Sequence, residues 1–155
     1  MIFRSIVNLH SPALEFEAIH RIVTDVDTKA LMSEMTAALE LSEERSEQAI
    51  VVCDNGTEKT LYIHKPTSKL TVGSLQNFLD SYIKEKGGKV DYIHGAEVIR
   101  ELSAKENSIG FMLPDMGKEE LFPTVIVDGA LPRKTFSMGH AEDKRFYVEA
   151  RKILK

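Results

Sequence analysis

The clearest pattern of apolar and polar positions is a pair of apolar runs within residues 49–64, separated by Asn55-Gly56. A two-residue type I′ turn prefers this pair of residues because both of its central positions need a positive φ. The pattern therefore predicts an antiparallel hairpin in which Ile50 pairs with Leu61.

Apolar residues at helical spacing predict four helices. The strongest of these patterns begins at Thr71, interpreted as the N-cap, and ends at Gly87. The three other predicted helices cover residues 28–41, 96–105 and 118–127. The last of them contains Pro123, which a helix tolerates only near its first turn.

Runs rich in β-branched and aromatic residues predict strands outside the hairpin as well. A strand at 90–94, a helix and a strand at 109–113 form the order of a crossover unit, so these two strands are predicted to be parallel. The sequence thus predicts one α/β domain (mixed α+β) over residues 1–155. Its mixed sheet has an antiparallel hairpin and a parallel β-α-β crossover, covered by three to four helices. The further predicted strands cover residues 1–10, 19–26 and 145–153.

Composition narrows the class of protein. The chain has 155 residues, of which 43% are hydrophobic and 28% charged, as is usual for a globular domain. The net charge of -4 argues against nucleic acid as a partner, because phosphate binding needs a concentrated basic surface. The single cysteine, Cys53, excludes an intrachain disulfide and indicates a reducing compartment. We find no signal peptide and no apolar run of about 20 residues, which predicts a cytoplasmic protein without a membrane partner.

Candidate chemistry is concentrated in one basic segment near the C-terminal end. The specific motifs for phosphate loops, dinucleotide binding, zinc proteases and esterases are absent, so no metal and no particular cofactor is predicted. Guanidinium, ammonium and hydroxyl groups are the donors that an anion site uses. A small anionic ligand is therefore one interpretation, and an ordinary solvated loop is the favoured alternative. The candidate residues are Arg133, Lys134, Thr135, Ser137 and His140.

A second candidate is His20-Arg21, within the strand predicted at 19–26. Successive residues of a strand point to opposite faces, so one of the two side chains is expected to point inward. An anion ligand or catalytic base is one interpretation, whereas a partly buried histidine beside a surface arginine is the favoured one. His94-Gly95 is interpreted as a tight turn, although helix N-termini attract anions. Cys53 is interpreted as a small apolar filler.

Four short segments occur in the order found in one protein family. They are residues 11–21, which end in His20-Arg21, then Val90-Asp91-Tyr92-Ile93-His94-Gly95, Ile109-Gly110-Phe111-Met112-Leu113-Pro114 and Leu131-Pro132-Arg133-Lys134-Thr135. Together they resemble the C-terminal portion of the ParB/SpoOJ-related, "helix-turn-helix-containing" family (domain of unknown function 1015). Family members carry an upstream ParB-like region and an Asp-Gly-His-His-Arg motif, and neither occurs in this sequence. Ala18 also stands where the family has a proline.

The resemblance implies a C-terminal domain of a longer protein. Relatives of the ParB-like fold include free-serine kinases, so it also implies amino-acid phosphorylation with the main catalytic motif outside this chain. Three functions follow, in order of preference. The first is an auxiliary or ligand-binding domain without its own catalytic motif. The second is part of a small-molecule, serine-type kinase, in which Arg133, Lys134 and His20-Arg21 converge on one pocket. The third is a DNA-associated ParB-like protein, although no helix pair with a basic second helix supports it. An incomplete domain exposes apolar surface, which predicts a homodimer.

Overall fold

The computed structural model of the chain describes residues 15–138 together with Asn8 and His10. The predicted strand at 145–153 lies outside these residues, as does nearly all of the predicted strand at 1–10. Seven strands and four α-helices lie within the described part. In chain order they are β1 (Phe16–Thr24), α1 (Thr28–Leu39), β2 (Leu41–Ser42), β3 (Gln48–Asp54), β4 (Thr57–Ile63), α2 (Thr71–Lys86), β5 (Lys89–His94), α3 (Ala96–Ser103), β6 (Ser108–Met112), α4 (Leu121–Asp128) and β7 (Phe136–Met138), with a 3₁₀ turn at Lys118–Glu120 before α4.

The seven strands form one sheet in which every pairing is antiparallel. The strand order is β2-β4-β3-β6-β1-β5, and β7 pairs with the N-terminal end of β1. Strands β5 and β6 each pair antiparallel with β1, so they run in the same direction but β1 lies between them. The α/β class with its covering helices is confirmed. The predicted parallel crossover is not confirmed as a direct pairing of β5 with β6, because β1, an earlier strand, lies between them.

The β3–β4 hairpin has the predicted register. Ile50 pairs with Leu61, and the turn residues Asn55 and Gly56 have φ values of 45° and 77°. Both central residues of the turn therefore adopt the left-handed conformation that the Asn-Gly pair was expected to supply.

The helices begin and end near the predicted positions, with several differences. Helices α1 and α3 begin as predicted but end at Leu39 and Ser103, each two residues early, and α4 begins at Leu121, after the 3₁₀ turn. Asp27 caps α1, since its carboxylate accepts hydrogen bonds from the backbone N–H groups of Lys29 and Ala30, each at 3.0 Å. Gly87 ends α2 as predicted, but the N-cap is Leu70, without a side-chain hydrogen bond, and Thr71 is the first helical residue. Pro123 lies in the first turn of α4, where its missing N–H costs no helical hydrogen bond.

The core has two clusters of buried residues, one on each face of the sheet. The larger cluster packs α1 and α2 against the sheet, and the smaller one joins Ile22, Cys53 and Ile99 beneath α3. Ile22 and its neighbour Val23 belong to different clusters, as alternation along a strand requires. Burial raises the pKa of the Cys53 thiol, which fits an apolar filler and not a nucleophile.

Helix α4 leaves much of its apolar surface in solvent. Phe122 is 61% exposed and Ile126 is 81% exposed. The homodimer remains a prediction, and this exposed apolar surface is the candidate for its interface. Within the described residues, no helix has both the length and the apolar character that a bilayer crossing requires.

Candidate functional site

Arg21 is fully buried in β1, with 0% of its surface exposed. The prediction that it would be a surface residue is wrong. Its Nε donates to Gln76 Oε1 at 3.0 Å, its Nη1 to the carbonyl oxygen of Lys134 at 2.9 Å, and its Nη2 to that of Arg133 at 3.0 Å. Nη1 also donates to the carbonyl oxygen of Ile19. The guanidinium is thus occupied by the protein's own oxygens.

The charge of Arg21 is buried among neutral acceptors. Burial lowers its pKa to about 10, and the nearby Arg133 cation adds to the lowering, whereas Tyr92 and Asp80 act in the opposite direction. The guanidinium carbon lies 4.7 Å from the centroid of the Tyr92 ring, which is a favourable cation–π position. Arg21 therefore remains a cation at neutral pH and stays inside the fold.

A chain of side-chain hydrogen bonds leads from Arg21 to the surface. Gln76 accepts from Arg21 and donates through Nε2 to Asp80 Oδ1 at 2.8 Å. The same carboxylate oxygen accepts from Arg133 Nη2 at 2.5 Å. We call Arg21, Gln76, Asp80 and Arg133 the Arg21 network. Its outer pair is accessible, since the Arg133 side chain is 63% exposed and that of Asp80 is 50% exposed.

The outer pair of the Arg21 network lines a cleft of about 490 Å³ between α2 and the segment that follows α4. Asp128, the last residue of α4, accepts hydrogen bonds from Ser68 Oγ at 2.9 Å and from the Lys69 N–H at 3.2 Å, which joins the two walls. Gly73 lets Ser68 lie close to α2, because a Cβ atom at residue 73 would lie 2.2 Å from Ser68 Oγ. We call this space the polar cleft; its lining residues are Thr67, Ser68, Gly73, Gln76, Asn77, Asp80, Asp128, Ala130, Pro132 and Arg133.

The other residues of the basic segment have different positions. Lys134 is exposed and has a left-handed φ of 55°. Thr135 is buried, and its Oγ1 donates to the carbonyl oxygen of Pro132 at 2.5 Å. Ser137 lies in β7 opposite Glu17 of β1. His140 lies outside the described residues. Arg133 is the member of this segment that lines the polar cleft.

His20 is partly buried, as expected, and is absent from the lining of the polar cleft. Its Nδ1 accepts a hydrogen bond from the Leu113 N–H at 3.2 Å. Burial lowers the pKa of His20, and the neighbouring His94 and Arg21 lower it further, whereas Asp115 raises it. Arg21 thus contacts Arg133 and Lys134 through their carbonyl oxygens, whereas His20 belongs neither to this group nor to the lining of the polar cleft.

A second cleft, of about 550 Å³, lies beside the N-terminal half of β1. Its wall includes Asp115, which accepts a hydrogen bond from the Ala18 N–H at 2.7 Å, and Glu17, whose carboxylate pairs with His94 Nε2. His94 was interpreted as part of a tight turn, and its pairing with Glu17 was not predicted. We call this space the acidic cleft; its lining residues are Glu15, Phe16, Glu17, Asp115, Met116, Gly117, Lys118 and Glu119.

Gln76, Asp80 and Asp128 were not among the residues predicted for the site. Gln76 and Asp80 stand four residues apart on α2, and this spacing along a helix favours a side-chain hydrogen bond. That signal could have linked the two residues, but not to Arg133. Across the described part of the chain, no group of three or more His, Cys, Asp or Glu side chains is arranged to hold a metal ion.

No family model matches the chain, and no curated protein matches it. Solved structures share its fold. A conserved hypothetical protein from Pyrococcus furiosus is 14% identical, with a TM-score of 0.66 over 86% of this chain and 60% of that one. A free serine kinase in complex with ADP is 17% identical, with a TM-score of 0.66 over 86% of this chain and 57% of that one. SbnI with a C-terminal truncation, from Staphylococcus aureus, is 13% identical, with a TM-score of 0.56 over 85% of this chain and 53% of that one. This chain thus matches between 53% and 60% of the length of these solved chains, and such identities show a common fold.

Proposed function

We propose that this chain is an auxiliary, ligand-binding domain of a small-molecule kinase of the serine type, without a catalytic motif of its own. The ligand site is the polar cleft. The observation that carries the proposal is the cleft's pair of carboxylates and its guanidinium around about 490 Å³ of space. That volume is in the range of small-molecule sites.

The charges of the polar cleft suit a free amino acid. Asp80 and Asp128 are acceptors for an ammonium group, and Arg133 is a planar donor for a carboxylate. Hydroxyl and amide groups, including those of Thr67 and Asn77, can bind a polar side chain of the ligand. The fold shared with a protein described as a free serine kinase makes serine the first ligand to test.

The phosphate donor is expected to bind outside the polar cleft. Two carboxylates and one guanidinium give its lining a net negative charge, which repels a nucleoside diphosphate. The resemblance to the ParB/SpoOJ-related family supports the same division, because it implies a main catalytic motif in another region. A DNA-associated role gains no support from a net charge of -4.

Titration calorimetry with L-serine and with ADP tests the proposal. We expect L-serine to bind the wild-type chain, and Arg133→Ala to weaken that binding by about tenfold or more through loss of the carboxylate partner. Arg100→Ala is the matched control, because Arg100 is also an exposed arginine, paired with Glu58 at 2.5 Å, outside the lining of the polar cleft. Absence of binding at millimolar L-serine, or equal loss in the two variants, would overturn the proposal.

A further inference from the structure

The buried guanidinium of Arg21 holds the backbone of the basic segment from within. Its two Nη atoms donate to the carbonyl oxygens of Arg133 and Lys134, which are adjacent in sequence. Two bonds from one rigid planar fork fix both the position and the orientation of that stretch of chain. Lys134 has a φ of 55°, which a residue other than glycine rarely adopts without support from its surroundings.

The same guanidinium also acts on the side chain of Arg133. Its Nε donates to Gln76 Oε1, and this bond turns the amide so that Nε2 donates to Asp80 Oδ1. Asp80 then accepts from the Arg133 guanidinium. Backbone and side chain of Arg133 are thus both connected to one buried group.

We infer that Arg21 is a positioning residue that sets the geometry of Arg133 in the polar cleft. It does not touch the cleft, because it is completely buried and absent from the lining. Its effect on ligand binding passes through the segment that it holds. The expected effect of Arg21 on ligand binding rests on the proposed function, whereas its expected effect on the basic segment does not.

Lysine cannot replace arginine in this role. An ammonium group keeps the positive charge but presents its donors from a single nitrogen at the end of a flexible stem. It cannot bind Gln76 and two successive carbonyl oxygens in the planar geometry that Arg21 shows. Arg21→Lys therefore removes positioning while it preserves charge.

Amide hydrogen exchange of the intact chain, combined with L-serine titration, tests the inference. In Arg21→Lys we expect exchange of the amides of residues 133–136 to accelerate by about tenfold more than exchange of the amides of the β3–β4 hairpin. We expect L-serine affinity to fall by about tenfold in the same variant. Ile50→Val is the control, because it weakens the core at a residue that is 1% exposed and has no part in the Arg21 network.

The outcomes separate positioning from stability. The control is expected to accelerate exchange broadly and to keep its affinity for L-serine. Exchange at residues 133–136 that stays at the wild-type rate in Arg21→Lys, or that rises only in parallel with the whole chain, would overturn the inference. If the wild-type chain binds no L-serine, the proposed function fails, and the exchange result still decides whether Arg21 positions the segment.

Discussion

The β3–β4 hairpin and the surroundings of Arg21 belong to one sheet, but different interactions hold them. In the hairpin, apolar side chains such as Ile50 and Leu61 pair between strands that are neighbours in sequence. Around Arg21, hydrogen bonds join residues that are 55, 112 and 113 positions apart. The first region depends on local pattern and apolar burial, and the second on the long-range satisfaction of buried polar groups.

The largest expected effect compares the two regions directly. Ile50→Ala should lower the free energy of unfolding by about 3 kcal/mol, because it leaves a cavity in a tightly packed core. Arg21→Met should lower it by about 2 kcal/mol. That loss arises because Gln76 and the carbonyl oxygens of Ile19, Arg133 and Lys134 lose their donor, while removal of a buried cation offsets part of the cost.

Urea denaturation of the two variants and the wild type measures this difference. An Arg21→Met variant as stable as the wild type would show that the Arg21 network contributes no net stability to its region. A larger loss of unfolding free energy in Arg21→Met than in Ile50→Ala would show that the polar surroundings of Arg21 contribute more to the stability of the sheet than the apolar packing of the hairpin.

A smaller effect concerns pH and sharpens the same comparison. Burial lowers the pKa of His20 below its ordinary value of 6.5, so the unfolded state binds more protons in the interval between the two values. The free energy of unfolding therefore falls as the pH drops from above 6.5 through the lower, folded pKa of His20. The groups that act on this imidazole are Asp115, His94 and Arg21.

His20→Gln should reduce this dependence, since glutamine does not titrate. We expect the variant to lose less stability than the wild type between about pH 7 and about pH 5, measured by urea denaturation at each pH. The Ile50→Ala variant serves as the control and should keep the wild-type slope. Equal slopes for His20→Gln and the wild type would assign the pH dependence to other groups.

The elements that follow from local sequence were predictable. Asn55-Gly56 determines its turn through the φ values that it tolerates, and the Asp27 carboxylate caps the helix that follows it. The pattern could not place β1 between β5 and β6, because strand order within a sheet depends on contacts between residues distant in sequence.

The candidate site was less predictable for the same reason. Arginine is seldom fully buried, so the sequence favoured a surface position for Arg21. Its burial depends on Gln76 and on carbonyl oxygens more than a hundred residues away. Arg133 was found because a basic segment is visible in sequence, whereas its partner Asp80 lies on a helix 53 positions earlier.

The most direct test of the polar cleft as the ligand site is a map of amide chemical-shift changes as L-serine is added to the wild-type chain. We expect the changes to concentrate in residues 67–80 and 128–133, on the two walls of the polar cleft. Changes confined to residues 15–17 and 115–119 would place the ligand in the acidic cleft and contradict this assignment. No change at millimolar L-serine would contradict it as well.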